Sequence, residues 1–427
     1  MTEPVATLHI DVGRKVGPAD HRGSGILYGL TEDGANPPDR YLTEMGFRFQ
    51  RAGGAQLDSP GGWVAGRYER RWASALAQCR RTVALGGAFI LLVHDLYGAD
   101  GTTIDRWPGD GGDWSDFDAF LSRLLDDADT AGIDPQWDLW NEPDIDLFWP
   151  RPAEQFHEAW LRAYRAVRSR FPRATIVGPS AASEPSDDDP WWNGWLDSIA
   201  RDGVVPDILS WHEIGGHAHG QDPVASRAAI ERMLTNRGLA VQAFQVNEYA
   251  EAWQQYPGTS AWFLARLERA EVDGLRANWD SGADLHDGLA GLLASDNGTY
   301  STLADWFTYR AYASQQGRMV ASEGDGVVDV FATRADDDSV RLLIGNHGGL
   351  TGPIAINVRG LPSTVTDRDI HVERIPYSDG HPIDRTLSEP PLSIGLAGDS
   401  LSLMLNYASD RDAYLVVIAP DLRTKSR

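Results

Sequence analysis

From residue 22 to residue 317 the chain alternates short apolar runs with longer amphipathic stretches. The runs read as strands: Gly25–Leu30, Phe47–Arg51, Ala88–His94, Gln136–Trp140, Thr175–Pro179, Asp207–His212, Val241–Val246 and Leu275–Trp279. Between them, apolar residues recur at helical spacing over Asp116–Ala131, Ala153–Arg170, Val224–Asn236 and Thr259–Ala270, as in Phe117, Phe120, Leu121, Leu124 and Leu125. Eight strand–helix units in series predict an α/β fold, a closed (β/α)8 TIM barrel over 22–317. After Gly317 the pattern becomes short strands with Gly, Pro and Asp turns, as in Val327–Thr333, Val340–Ile344, Ile354–Val358 and Ala413–Ile418. These predict an accessory antiparallel β-sandwich over 318–427. Thr7–Val12 also alternates as a strand ahead of the barrel, so residues 1–21 are expected to join that sandwich.

Composition removes several classes of chemistry. Hydrophobic residues make up 42% of the 427, ample for a large core, which argues against disorder. No apolar run reaches the roughly 20 residues that span a bilayer. The start, Met1-Thr-Glu-Pro-Val-Ala, lacks the basic and apolar segments of a secretion signal, so a cytoplasmic location is expected. The net charge of −24 repels phosphate backbones and anionic lipid, which argues against nucleic-acid and membrane partners. One cysteine, Cys79, excludes an internal disulfide and cysteine-rich zinc sites. The only lysines are Lys15 and Lys425, neither inside a core motif, which leaves no Schiff-base or phosphate-loop lysine.

In a parallel barrel the strand C-termini converge on one face. Two glutamates fall at such ends, Glu142 in Trp140-Asn-Glu-Pro143 and Glu248 in Phe244-Gln-Val-Asn-Glu-Tyr249. Two facing carboxylates are the minimal equipment for cleaving a glycosidic bond. One must protonate the leaving oxygen, and burial beside a second negative charge keeps a carboxyl protonated. The other must be ionised to attack the anomeric carbon and needs a cation nearby, for which Arg51 at the end of the second strand is the candidate. The rim also receives His94, His212 and Glu213, each of which reads equally as a sugar contact or as a group satisfied by the protein. Trp107, Trp149, Trp253 and Trp279 follow the third, fourth, seventh and eighth strands, where flat aromatic faces suit the C–H face of a sugar. His217, His219 and Asp222 could form a loop metal site, but the zincin spacing fails, since 217 − 212 = 5, and a solvated loop is preferred. No metal and no cofactor is expected.

With Asn-Glu-Pro at the fourth strand and Asn-Glu-Tyr at the seventh, the chain resembles the retaining glycoside hydrolases of clan A. The added β-sandwich fed by the N-terminus is similar to family 39, the β-xylosidases, α-L-iduronidases and arabinoside-releasing enzymes. The resemblance implies that Glu142 is the acid and then the base, that Glu248 is the nucleophile, and that Asn141 contacts the sugar 2-hydroxyl. It also implies a nucleophile-bonding tyrosine two residues after His212, but that position holds Ile214, and Tyr249 is the candidate substitute. The reading adopted is a retaining, exo-acting hydrolase of a neutral pentoside, a β-D-xyloside or α-L-arabinoside, whose partner is an oligosaccharide or small glycoside. A transglycosylase would use the same residues, and a non-catalytic sugar-binding protein would not need both glutamates. A uronic-acid substrate would need a cationic pocket, for which Arg106, Arg151 and Arg276 are available but not gathered by sequence.

Overall fold

A computed structural model describes residues 3–420 apart from 56–60, 101–103, 215–219, 278–284 and 363–366. The first strand, β1 (Ala6–Pro18), precedes the barrel. Eight parallel strands then close the barrel among the described residues: β2 (Gly25–Leu27), β3 (Phe49–Ala52), β4 (Ala88–Leu92), β5 (Gln136–Asp138), β6 (Ile176–Ala181), β7 (Ile208–Glu213), β8 (Ala243–Tyr249) and β9 (Asp273–Arg276). Both faces of these strands are covered, by the barrel interior and by helices, so their sequences read as nearly continuous buried runs. The helices bury one stripe each. Ser115–Ala131 packs Phe117, Phe120, Leu121, Leu124, Leu125 and Ala128 inward and stops at Gly132, which takes φ +64. Cys79 is buried in the helix Tyr68–Ala84, and burial pushes its thiol up to about 11, which makes it a packing residue. No helix among the described residues is long and apolar enough to cross a membrane.

The strand positions follow the sequence reading, with shifted ends. β4 stops at Leu92 rather than His94, and β8 runs on through Glu248 to Tyr249. Elements that were not anticipated include the hairpin Leu293–Asp296/Thr299–Thr302 and the strand Arg318–Glu323. The C-terminal part is one ten-stranded sheet among the described residues, antiparallel except where β1 runs parallel to Gly352–Arg359. β1 also pairs antiparallel with Arg318–Glu323. Alternate residues of this sheet, such as Leu8, Ile10, Val330, Leu342, Ile356 and Val416, share one apolar core. The opposite face of the central strands, through Phe331 and Leu343, packs on the barrel helix Pro257–Ala270. At the closest approach, a Cβ added to Gly345 would fall 2.0 Å from Trp262 N, so glycine is what lets strand and helix backbones touch.

Candidate active site

Past the end of β5, Asn141 and Glu142 sit on the departing loop. Glu142 takes φ +44, a left-handed conformation that costs a side-chain-bearing residue roughly 1–2 kcal/mol. The loop is held in that shape from both sides. The Glu142 N–H donates to Ser180 O at 2.8 Å, and Asp144 accepts the N–H groups of Ala182 and Ser183 at 2.7 and 2.8 Å. Across the barrel, Trp211 pairs with Val246 but His212 pairs with Glu248, so β8 has one extra residue there. This bulge turns two successive side chains inward. Asn247 Nδ2 donates to Asp138 Oδ2 at 3.1 Å and to Ser180 Oγ at 2.8 Å, while Glu248 meets Arg51.

Arg51 on β3 is fully buried and spends its guanidinium on three partners. Nε donates to Asp138 Oδ2 at 2.7 Å, Nη1 to Glu248 Oε1 at 2.8 Å and Nη2 to Asn141 Oδ1 at 2.7 Å. Burial works against its charge, but Asp138 and Glu248 hold its pKa above the ordinary arginine value. His212 lies between the two glutamates. Its Nδ1 is 2.8 Å from Glu142 Oε1 and its Nε2 is 3.7 Å from Glu248 Oε1. Burial pushes the imidazole down to about 4, with Glu248 opposing and Arg51 adding to the shift, so the ring is neutral at neutral pH. Glu142, His212 and Glu248 bring one ligand atom each within 4.8 Å of one another, a spacing that could hold a metal ion. The Arg51 guanidinium, in contact with Glu248, already supplies positive charge there and repels a second cation.

Of these groups, Asn141, Glu142 and Glu248 border a cleft of about 490 Å³ that also reaches Tyr28, His94 and Asp95. His94 comes from the short helix Val93–Tyr97 rather than from the strand end. Two expected rim residues face elsewhere, because side chains alternate along a strand and their neighbours point inward. Glu213 Oε1 accepts Trp211 Nε1 at 2.8 Å, and burial together with Glu184 pushes its carboxyl well above the usual range. Tyr249 donates to Gly23 O at 2.9 Å and meets Tyr309 Oη at 2.8 Å, so it does not support Glu248. Trp107 and Trp149 are buried beneath the loop, with Trp149 edge-on to Trp140 at 5.1 Å, and offer no face to a sugar. Trp253 is 64% exposed on the turn Ala252–Gln254 and does not border the cleft. Trp279, His217 and His219 lie outside the described residues. Asp222 caps the helix Pro223–Thr235 and pairs with Arg266 at 2.5 Å, which accounts for it without a metal.

Sequence reasoning missed Asp138, Ser180, Tyr28 and Asp95. A signal existed for Asp138, a lone charge inside a buried apolar strand, which must find a cation or hydrogen bonds.

No protein-family model matches the chain. A curated relative, the 3-O-alpha-D-galactosyl-alpha-L-arabinofuranosidase of Bifidobacterium longum subsp. longum, is 21% identical over 447 residues, covering 87% of this chain. The chain spans about a third of that relative's length, 36%. Among solved structures, N2152 from Neocallimastix frontalis superimposes with a TM-score of 0.80 at 22% identity, over 97% of this chain and 100% of that one. A GH39 β-xylosidase from Caulobacter crescentus superimposes with a TM-score of 0.62 at 16% identity, over 97% and 100%. The barrel with its appended sheet is therefore a fold shared with that GH39 β-xylosidase, in keeping with the resemblance drawn from Asn141-Glu142-Pro143 and Glu248.

Proposed function

We propose that the protein is a retaining glycoside hydrolase in which Glu248 is the nucleophile and Glu142 the acid and then the base. One observation carries the reading: the two carboxyls meet in one cleft, with Arg51 on Glu248, His212 between them and an oxygen of each within 4.8 Å. Retaining enzymes place these groups about 5–5.5 Å apart and inverting ones about 6.5–9.5 Å, and the short approach favours the first. Glu248, ionised against Arg51, attacks the anomeric carbon while the bond to the leaving oxygen breaks. Glu142 gives that oxygen its proton, and a glycosyl ester on Glu248 results. Water then attacks the same carbon, Glu142 takes its proton, and the ester bond returns its electrons to Glu248. A neutral His212 suits this cycle: a protonated Glu142 can donate to Nδ1 while Nε2–H faces Glu248.

The substrate class we infer is a neutral pentoside, a β-D-xyloside or α-L-arabinoside cleaved from a chain end. The similar proteins carry names of both kinds, a β-xylosidase and an arabinofuranosidase. Azide rescue of Glu142→Ala and Glu248→Ala on a nitrophenyl pentoside tests the assignment. Without Glu142, a good leaving group still departs, and azide needs no deprotonation, so turnover returns with retained configuration. Without Glu248, rescue by azide comes from the opposite face and inverts. Exchanged outcomes swap the roles, and full activity in both variants places the chemistry elsewhere.

A further inference from the structure

Asp95 borders the cleft from the helix Val93–Tyr97, with 2% of its surface exposed. Its setting is built in detail. Tyr28 Oη accepts the N–H groups of Gly53 at 2.8 Å and Ala55 at 3.0 Å and donates its own proton to Asp95 Oδ2. His94 Nδ1 lies 2.9 Å from Asp95 Oδ1. A Cβ at Gly53 would fall 2.2 Å from Leu92 O and 2.6 Å from Asp95 Cβ, so a glycine is needed for the chain to pass here. Burial opposes the charge, yet His94, Tyr28 and Arg71 hold the carboxyl below the usual carboxylate range. The His94 ring is buried against Trp140 and Phe148, and its Nε2 has no hydrogen-bond partner among the described residues. A buried, orphaned nitrogen beside a fixed carboxylate is a site awaiting a polar ligand.

Charge narrows the ligand. Asp95, Asp100, Glu142 and Glu248 border the cleft, and no arginine or lysine does among the described residues. No undescribed internal stretch contains either residue. Arg106, Arg151 and Arg276 are engaged elsewhere, with Asp113, Asp110 and Gln255.

Building on the glycosidase reading, we propose that Asp95 is a specificity-determining residue that accepts a hydroxyl of the sugar bound beside Glu142 and Glu248. His94 Nε2 makes the second contact, and the site takes uncharged sugars and refuses uronides. A carboxylate brought to this wall meets like charge with no cation to receive it.

The test compares wild type on nitrophenyl β-D-xyloside, α-L-arabinofuranoside, their monodeoxy analogues and β-D-glucuronide, then repeats the series with Asp95→Asn. Hydrogen bonds to a charged acceptor predict a loss in kcat/KM of about 10- to 100-fold for one deoxy analogue in wild type. In Asp95→Asn the parent glycoside should fall by a similar factor while that analogue is nearly unaffected. The glucuronide should be at least about 100-fold poorer than the pentoside in wild type, a gap that narrows in the variant. Equal losses on parent and deoxy substrates, or a wild type that accepts the glucuronide, overturn the proposal. The wild-type series stands without the variant, should that variant not fold. If no glycoside is cleaved at all, calorimetry of xylobiose and an aldobiouronic acid on wild type separates the two ideas. Xylobiose binding without uronide binding then keeps the site and removes the glycosidase reading, and binding of neither sugar removes both.

Discussion

Lowering the pH should destabilise this protein through His212. The imidazole titrates near about 4 when folded, against 6.5 in an unfolded chain, and it is fully buried, so solvent screening does not discount the shift. Between those values the unfolded state binds the proton more readily, so stability is full above 6.5 and is lost as pH falls towards 4. The two values give a loss of about 2 kcal/mol at pH 5 and about 3 kcal/mol at pH 4. Urea unfolding of wild type and His212→Gln from pH 7.5 to 4.5 isolates the contribution. The variant starts less stable, because it forfeits the bond to Glu142, but its curve should be flatter by about 2.5 kcal/mol over this range. His21, His157 and His347 are also pushed down by burial and bend both curves alike, so only the difference counts. Parallel curves for the two proteins would falsify the neutral, buried state of His212.

Arg51→Met leaves Asp138 and Glu248 without their shared cation and should cost about 3–5 kcal/mol at pH 7, read by urea unfolding. That cost should shrink as the pH falls and Asp138 takes up a proton; a variant as stable as wild type at neutral pH contradicts the pairing. Gly345→Ala drives a Cβ into the backbone of the helix Pro257–Ala270 and should cost at least about 2 kcal/mol in thermal unfolding. Gly194→Ala, exposed within the helix Pro190–Asp202 and clear of neighbours to 4.0 Å, should instead stabilise by about 0.5–1 kcal/mol. A destabilised Gly194→Ala would show that the helix face is not free.

The barrel was legible because each strand is a short apolar run and each helix a stripe, as at Phe117 to Leu125. Glu142, Glu248, Arg51 and His212 could be nominated because they stand at or near strand C-termini, which a parallel barrel gathers on one face. Their neighbours could not be sorted as safely. Alternation about His212 and Glu248 would have turned Glu213 and Tyr249 outward, but it breaks at Asn247, where the bulge in β8 sets two inward residues in a row. Nothing local in the sequence marks that slip. Trp107 and Trp149 follow the right strands, yet their rings close on Trp140, a tertiary choice that position along the chain does not encode. Asp95 was hidden by its own helix turn, which starts where the strand was expected to continue.

The placement of β1 also sets an order of events during synthesis. His9 pairs with Glu323 and Ala6 with Ile354, partners 314 and 348 residues downstream. At about 5–20 residues per second, the strand waits roughly 15–60 s after leaving the ribosome before its first partner exists. Meanwhile the eight barrel units, whose neighbours are consecutive, can assemble beside it. Throughout that interval Leu8, Ile10 and Val12 lie on a strand with two open edges, the condition that favours pairing with other chains. A ribosome halted before residue 318 would therefore release a barrel with a strand that has no sheet to enter, and a chaperone that shields this segment would raise the yield of folded protein.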